Sequence, residues 1–346
     1  MAGRGTWSVI LVMAIGVGSG LGAAAASSSE QLQAGDDRWI VYQGGETLEG
    51  AWPIRLVRPD GSEDHVLPLD GLPGYDQGHP AWSRDGERIA FDLFTQVPGS
   101  PDRASIWAVK PDGSDPVELA ACELPCLQLA YPAWSPDGRE LALVRYDYLG
   151  DGTWGANAVE VLDLASGDRR VLTETADGTT AIFTPRWSPD GSAIVFVIEA
   201  YADATAADVT SSVLATIPTD GSSTTPTVLT STDTVADSPD WSPNERIAFT
   251  LIESFDQRPN ASTVATIAAD GSDLRRSHRA ETGLALASEP TWMPDGDLLV
   301  GTGDAETGTQ WLASIDPETG SVERLSWDLV TAPGIQRAHH HVRPID

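Results

Sequence analysis

The sequence predicts an all-β fold, a six-bladed β-propeller of four-stranded antiparallel blades with the N- and C-terminal strands sharing one blade. Three observations predict it. A P-x-W segment recurs at a period of just over fifty residues. A second strand–turn–strand pattern follows each copy in nearly constant register. Tryptophan is over-used, with 12 in the chain, and five of them fall at one repeated position.

The first repeated segment reads HPAWSRDGERIAF from His79, YPAWSPDGRELAL from Tyr131, TPRWSPDGSAIVF from Thr184, SPDWSPNERIAF from Ser238 and EPTWMPDGDLLV from Glu289. Its tryptophans are Trp82, Trp134, Trp187, Trp241 and Trp292, spaced 52, 53, 54 and 51 residues apart. Internal repetition at such a period is the mark of a propeller or solenoid. Each copy is a short strand, a tight turn and a second strand. Proline presets the first turn dihedral, Asp bonds the local backbone and Gly accepts positive φ. The run after the turn is apolar, as in AIVFVIEA, which suits a strand buried between neighbouring sheets.

The second pattern supplies strands three and four of each blade. It appears as IWAVKPDGSDPVEL, VEVLDLASGDRRVL, VLATIPTDGSSTTPTVL, VATIAADGSDLRRS and WLASIDPETGSVERL, with hairpin-turn glycines Gly113, Gly167, Gly221, Gly271 and Gly320. Four antiparallel strands per repeat make one propeller blade. The N-terminal RWIVYQ and PIRLVRPDGSEDHVLPL add strands two to four of another blade, with Gly61 lying 52 residues before Gly113. No P-x-W precedes it. Each repeat Trp follows the preceding turn glycine by about twenty residues, and 21 residues beyond Gly320 lies His341, in RAHHHVRPID. The C-terminal segment therefore takes the innermost position of that blade, closing the ring without a free sheet edge.

The rest of the chain is read from composition. An N-terminal Arg4, the apolar run Trp7 to Val17 and the small residues Gly18 to Ser29 form an export signal with A-x-A-like sites around Ala23 to Ala26. Residues 1–26 are thus expected to be a signal peptide, 27–36 a linker and 37–346 the propeller. The mature protein is expected to be secreted or periplasmic, monomeric and without a membrane span. The formal net charge of -30 excludes nucleic acid and anionic lipid as partners. Cys122 and Cys126 are the two cysteines; in an oxidising compartment they are expected to form a local disulfide.

Candidate site residues follow from the repeat. Propellers bind ligands at the mouth of the central channel. The residue before each repeat Pro is expected near that mouth: His79, Tyr131, Thr184, Ser238 and Glu289. The residue between Pro and Trp points elsewhere: Ala81, Ala133, Arg186, Asp240 and Thr291. Positions that differ between copies are free of the shared packing role, so His79, Tyr131, Arg186, Asp240 and Glu289 are the candidate binding residues. A water-filled channel with no ligand stays open as the alternative. The tryptophans, alike in every copy, are read as packing between sheets. The Asp of each S-P-D-G is read as a turn residue. One carboxylate per turn is too few for a calcium loop.

His339, His340 and His341 form the one local cluster with metal-binding chemistry. With His79, a pair drawn from His339 and His340 is the candidate set for a divalent metal. Adjacent strand residues point to opposite faces, so at most two of the triplet share a site.

The P-x-W-S-P-D-G-x-x-[IL]-[AV]-[FL] signature resembles the WD40-like PD40 repeat of TolB-type propellers, over roughly residues 36–346. The resemblance implies the propeller and, by its range of members, a protein-interaction module, the propeller of a prolyl-oligopeptidase-like peptidase, or an oligogalacturonate lyase with a manganese ion held by histidines. No α/β domain is recognised before the propeller and no G-x-S-x-G elbow is present, which weighs against a Tol–Pal member and against a serine peptidase. Two readings follow. One is an exported module, needing no cofactor, that binds an envelope or extracellular protein or a glycan. The alternative is a metal-dependent lyase or hydrolase acting on an acidic polysaccharide at the channel mouth.

Overall fold

A computed structural model describes residues 39–45, 53–74, 76–148, 154–175, 178–203, 209–252, 262–277, 286–303, 310–324 and 336–342. The expected signal peptide and linker lie outside these residues. The described residues form strands and turns, with no helix among them. No helix among them is therefore long and apolar enough to cross a membrane.

The strands fall into successive antiparallel meanders. The first holds β1 (Ile40–Gly45), β2 (Ile54–Val57) and β3 (His65–Val66). Then follow β4 (Asp76–Trp82), β5 (Ile89–Thr95), β6 (Arg103–Val109) and β7 (Val117–Ala120). The next contains β8 (Cys126–Trp134), β9 (Glu140–Tyr148), β10 (Trp154–Asp163) and β11 (Arg169–Glu174). After it come β12 (Thr180–Trp187), β13 (Ala193–Tyr201), β14 (Val209–Pro218) and β15 (Thr227–Val228). Another is β16 (Val235–Trp241), β17 (Arg246–Ile252), β18 (Ser262–Ala268) and β19 (Arg275–Arg276). The last comprises β20 (Leu286–Trp292), β21 (Leu298–Gly303), β22 (Gln310–Ile315) and β23 (Val322–Arg324), and the described residues end in β24 (Gln336–Val342). Single parallel bridges, Ala104 to Gln128 and Ser212 to Val235, join neighbouring meanders.

Strand β24 pairs antiparallel with β1, giving the sheet order β24-β1-β2-β3. Both ends of the described chain thus enter one sheet. The register is one residue later than the spacing predicts. Val342 faces Ile40 as Trp82 faces Ile89, so His341 takes the place of Ala81. The connection between β23 and β24 is slightly longer than its counterparts between β3 and β4 and between β19 and β20, so the repeat spacing does not fix the register there.

The core lies between the meanders. Tyr42 and Ile40 pack with Leu299 and Leu312, joining the first sheet to the last. Val41 and Ile54 pack with Trp82 and Phe91 of the next. Further clusters link each meander to its successor, through Leu129 and Ile106, Val144 and Phe196, Val195 and Phe249, and Ala248 and Val300. Packing therefore runs in a closed cycle. The first strands β4, β8, β12, β16, β20 and β24 neighbour one another in the same cyclic order.

Local chemistry explains the hairpins. Ser83 Oγ donates to Asp85 Oδ1 at 2.6 Å, and the Arg88 N–H donates back to Ser83 Oγ at 2.9 Å. Ser135 with Asp137 and Ser188 with Asp190 repeat this arrangement. The Asp of the repeat is therefore a turn residue, as its sequence context predicts. Cys122 and Cys126 are joined by a disulfide across 5.5 Å between Cα atoms, bracketing the loop into β8.

The repeat tryptophans do more than fill space. The Trp134 indole N–H donates to the Ala81 carbonyl at 3.2 Å, Trp187 to Ala133 at 3.0 Å and Trp292 to Asp240 at 3.2 Å. Each of these indoles is fastened to the first strand of the preceding meander, so one residue supplies both apolar burial and a directional tie.

Candidate functional site

Every first strand is interrupted at the same point. In β4 the register jumps from Gly78–Asp92 to Ala81–Ala90, leaving His79 and Pro80 opposite one residue, Phe91. The same two-against-one bulge occurs in β8, β12, β16, β20 and β24. In the five P-x-W copies the residue before Pro has positive φ: His79 49°, Tyr131 56°, Thr184 49°, Ser238 51° and Glu289 54°. Non-glycine residues rarely take this conformation, β-branched ones least of all. A bulge bends its strand and re-aims a side chain. Here it does so once per repeat, on the neighbouring first strands. His339 occupies the corresponding register position in β24.

Two of the candidate side chains meet directly. The His79 and Tyr131 rings lie 3.8 Å apart between centroids. Phe183, one residue before the bulge of β12, meets Tyr131 edge-on at 6.1 Å. His79 Nδ1 is 2.6 Å from Asp92 Oδ1, and the Asp92 side chain is 0% exposed. Asp92 Oδ2 is buried and has no hydrogen-bond partner among the described residues. It sits over Gly78, where an added Cβ would stand 3.0 Å from that oxygen. The register positions equivalent to Gly78 carry Ala130, Phe183, Asp237, Ser288 and Ala338. The missing side chain at Gly78 is what admits the carboxylate.

Negative charge collects at this level. Burial, then the carboxylates of Asp92, Asp237, Glu199 and Glu289, push the Tyr131 phenol well above its ordinary value. Burial also raises Asp76, at the start of β4, with Asp92 adding to the effect. The backbone N–H of Glu289 donates to Thr250 Oγ1 at 2.9 Å, fixing the bulge of β20 against β17.

One step further along the first strands stand Arg186, Asp240 and His341. Burial lowers the Arg186 guanidinium, opposed by the fields of Asp240, Glu289 and Tyr131. Asp240 is pushed up to about 6 by burial, with Arg186 pulling the other way. Asp240 Oδ2 accepts the Trp292 backbone N–H at 2.8 Å, and His341 Nδ1 accepts that of Trp82 at 3.1 Å. At this level the side chain satisfies an inner-edge donor of the next first strand. Asp240 therefore carries a structural bond that its sequence position did not foretell.

The sequence-derived candidates thus divide. His79 and Tyr131 are in contact, and Glu289 shares their register level; Arg186 and Asp240 form a second level. The side chains of His339 and His340 lie outside the described residues, although β24 packs beside β4, which carries His79. Asp92 is the residue that sequence reasoning missed. The signal was present: after the apolar triplet of the second strand the copies carry Asp92, Val144, Val197, Thr250 and Gly301. A surface cavity of 280 Å³ lies elsewhere, lined by Leu119, Glu123, Leu162 and Arg169 near the disulfide, and holds none of the candidate residues.

No family model matches the chain. A curated protein of Bacillus subtilis, described as the uncharacterized peptidase YuxL, is 29% identical over 121 residues; the match covers 34% of this chain and 17% of that protein. Among solved structures, TolB from Acinetobacter baumannii superposes with a TM-score of 0.63 at 15% identity, over 89% of this chain and 67% of that one. Oligogalacturonate lyase in complex with manganese superposes with a TM-score of 0.53 at 15% identity, over 82% of this chain and 72% of that one. At such identities the likeness concerns the fold alone. The chain has an all-β, TolB-like propeller-type fold.

Proposed function

We propose that the protein is an exported six-bladed TolB-like propeller that binds an envelope or extracellular protein, or a glycan, at the channel mouth. Residues 37–346 form its single domain, with the terminal strands sharing one blade, and it acts as a monomer in the secreted or periplasmic space. One observation carries the reading. Five non-glycine residues share one rare backbone conformation at one level of the ring, yet differ in every side chain. Strained backbone positions of this kind cluster at functional sites. A surface built on one backbone and varied in chemistry around a ring is a recognition surface.

Photo-crosslinking tests it. A benzoyl-phenylalanine at Glu289 should capture a partner from envelope extract or from a glycan-coated matrix. The same group at Val228, on the outermost strand and 53% exposed, should not. Crosslinks at Val228 and none at Glu289 would move recognition to the rim and overturn the proposal.

The metal-dependent lyase or hydrolase acting on an acidic polysaccharide is the second reading. What favours it is the His79–Asp92 pair, because metal-bound histidines commonly give their other ring nitrogen to a carboxylate. The manganese-bound lyase of similar fold supports it in the same measure. Elemental analysis of the purified chain beside a His339→Ala, His340→Ala variant decides. Stoichiometric metal that the variant loses supports the lyase; its absence from both leaves the binding module.

A further inference from the structure

We infer that the cavity between the second and third meanders binds a free aliphatic α-amino acid in its zwitterionic form. The site is separate from the channel mouth, and the inference stands without the binding reading above.

Three features converge on it. The first is size. The cavity measures 280 Å³. Clefts that take drug-sized ligands run from about 300 to 1,000 Å³, so this one suits a smaller molecule. One wall comes from the end of β7 and the loop after it, with Leu119, Ala120 and Glu123. The other comes from the end of β10 and its turn into β11, with Leu162, Gly167 and Arg169.

The second is the chemistry of the lining. Leu162 is buried, and Leu119 is partly buried against the same cluster, which gives an apolar floor. Two residues of opposite charge line the cavity, one from each wall. The Glu123 carboxylate has no hydrogen bond or ion pair among the described residues. Arg169 has one charge contact, Nη1 at 3.3 Å from Glu160 Oε2, and its guanidinium makes no hydrogen bond among the described residues. A guanidinium has five N–H donors, so most of them are left unused. Glu160 is also held by Arg145 Nε at 2.6 Å, so it does not depend on Arg169 alone. An α-amino acid carries a carboxylate for Arg169, an ammonium for Glu123 and a side chain for the floor. Arginine pairs with a carboxylate through two parallel N–H bonds. A ligand with one charge would leave one wall unanswered.

The third is rigidity. The Cys122–Cys126 disulfide spans the loop that carries Glu123, and the Cys126 N–H donates to the Glu123 carbonyl at 2.9 Å. Across the cavity, the Gly167 N–H donates to the Asp163 carbonyl at 2.8 Å, and Asp163 Oδ1 accepts the N–H groups of Ala165 and Ser166. Both walls are preformed, so binding costs little ordering.

Calorimetry on the full mature chain tests this with four probes. L-leucine carries both charges and a fitting side chain. L-alanine carries both charges alone. N-acetyl-leucine keeps only the carboxylate, and leucine amide only the ammonium. Leucine should bind saturably. Alanine should bind about tenfold more weakly, for want of apolar burial. N-acetyl-leucine and leucine amide should each bind about fivefold more weakly, the scale of one partly exposed charge pair. Arg169→Gln should lower leucine to the level of leucine amide without weakening leucine amide. Glu123→Gln should lower leucine to the level of N-acetyl-leucine without weakening N-acetyl-leucine. These paired probes separate a lost charge from a lost fold. If Arg169→Gln does not fold, Glu123→Gln carries the test, since no bond among the described residues uses its side chain.

No saturable binding of leucine, or equal binding of alanine, would overturn the inference. So would N-acetyl-leucine or leucine amide binding as tightly as leucine, which would assign the cavity to one end of a peptide chain instead. Full leucine affinity in the folded variants would place the binding outside this cavity and overturn it as well.

Discussion

The backbone N–H of Trp82 donates to Nδ1 of His341 across 259 residues of sequence. The bond joins the first P-x-W strand to the last strand of the chain, at the level where Trp292 and Asp240 make the equivalent contact. It ties the C-terminal strand sideways, in addition to its pairing with β1. His341→Ala should therefore lower stability by about 1 kcal/mol, the net worth of such a bond. His341→Asn offers another acceptor and should recover part of the loss. Urea midpoints of the three proteins measure it, and a loss of stability that Asn does not relieve would assign His341 to packing.

Asp240 gives a pH signature. Its folded carboxyl is pushed up to about 6 from an ordinary 3.8, by burial against the pull of Arg186. The folded chain thus holds this proton more tightly than the unfolded chain. The resulting stabilisation is complete below the unfolded value and is lost as pH rises through about 6. A shift of this size corresponds to about 3 kcal/mol. Asp240 is only partly buried, so solvent screening reduces it to about 1–2 kcal/mol. Asp240→Asn keeps an acceptor for Trp292 and does not titrate. The stability difference between wild type and variant should change by that amount between pH 4 and pH 7.5, moving against the wild type as pH rises. A difference that stays constant with pH would place Asp240 in open water.

How much of this was legible in the sequence depended on range. The hairpins were legible because Ser83, Asp85 and Gly86 act on their own backbone neighbours, and the same residues recur at a fixed period. The packing role of Trp134 was legible from its recurrence; its tie to the Ala81 carbonyl was not, because that bond spans 53 residues. The positive φ at His79 and Thr184 runs against local preference and arises from a register jump between strands. Asp92 is the instructive miss. Repeat positions were compared on the first strand, where variation was expected, and not on the second, where an apolar run signalled only burial.

Gly113 shows where a repeat glycine touches its neighbour. It lies at φ 79°, and an added Cβ would stand 1.9 Å from the Pro68 carbonyl oxygen of the preceding meander. Gly221, at φ 75°, has nothing within 4 Å of that position. Gly221→Ala should cost about 1 kcal/mol, the strain of a left-handed residue. Gly113→Ala adds a steric overlap with backbone and should cost about 2–4 kcal/mol in all. Equal losses in thermal unfolding would show that the preceding meander yields freely at Pro68.

Glu245 makes the complementary case. Where other copies place Gly86, Gly138, Gly191 and Gly296 in the first hairpin turn, the fourth copy is one residue shorter and puts Glu245 at φ 62°. The Glu245 side chain is exposed, and its backbone N–H donates to the Ser242 carbonyl at 3.1 Å, a bond that glycine retains. Replacement by glycine removes the left-handed strain, about 1–2 kcal/mol. It also restores freedom to the unfolded chain, which offsets about 0.5–1 kcal/mol of that gain. Glu245→Gly should thus stabilise the protein by a net of about 0.5–1 kcal/mol. Asn tolerates this conformation with less unfolded freedom, so Glu245→Asn should match or exceed it. Both should raise the unfolding temperature without altering ligand binding, since the turn lies beyond the end of β16 and outside its bulge. A fall in stability for both would mean that the shortened turn is held by its side chain and not merely tolerated.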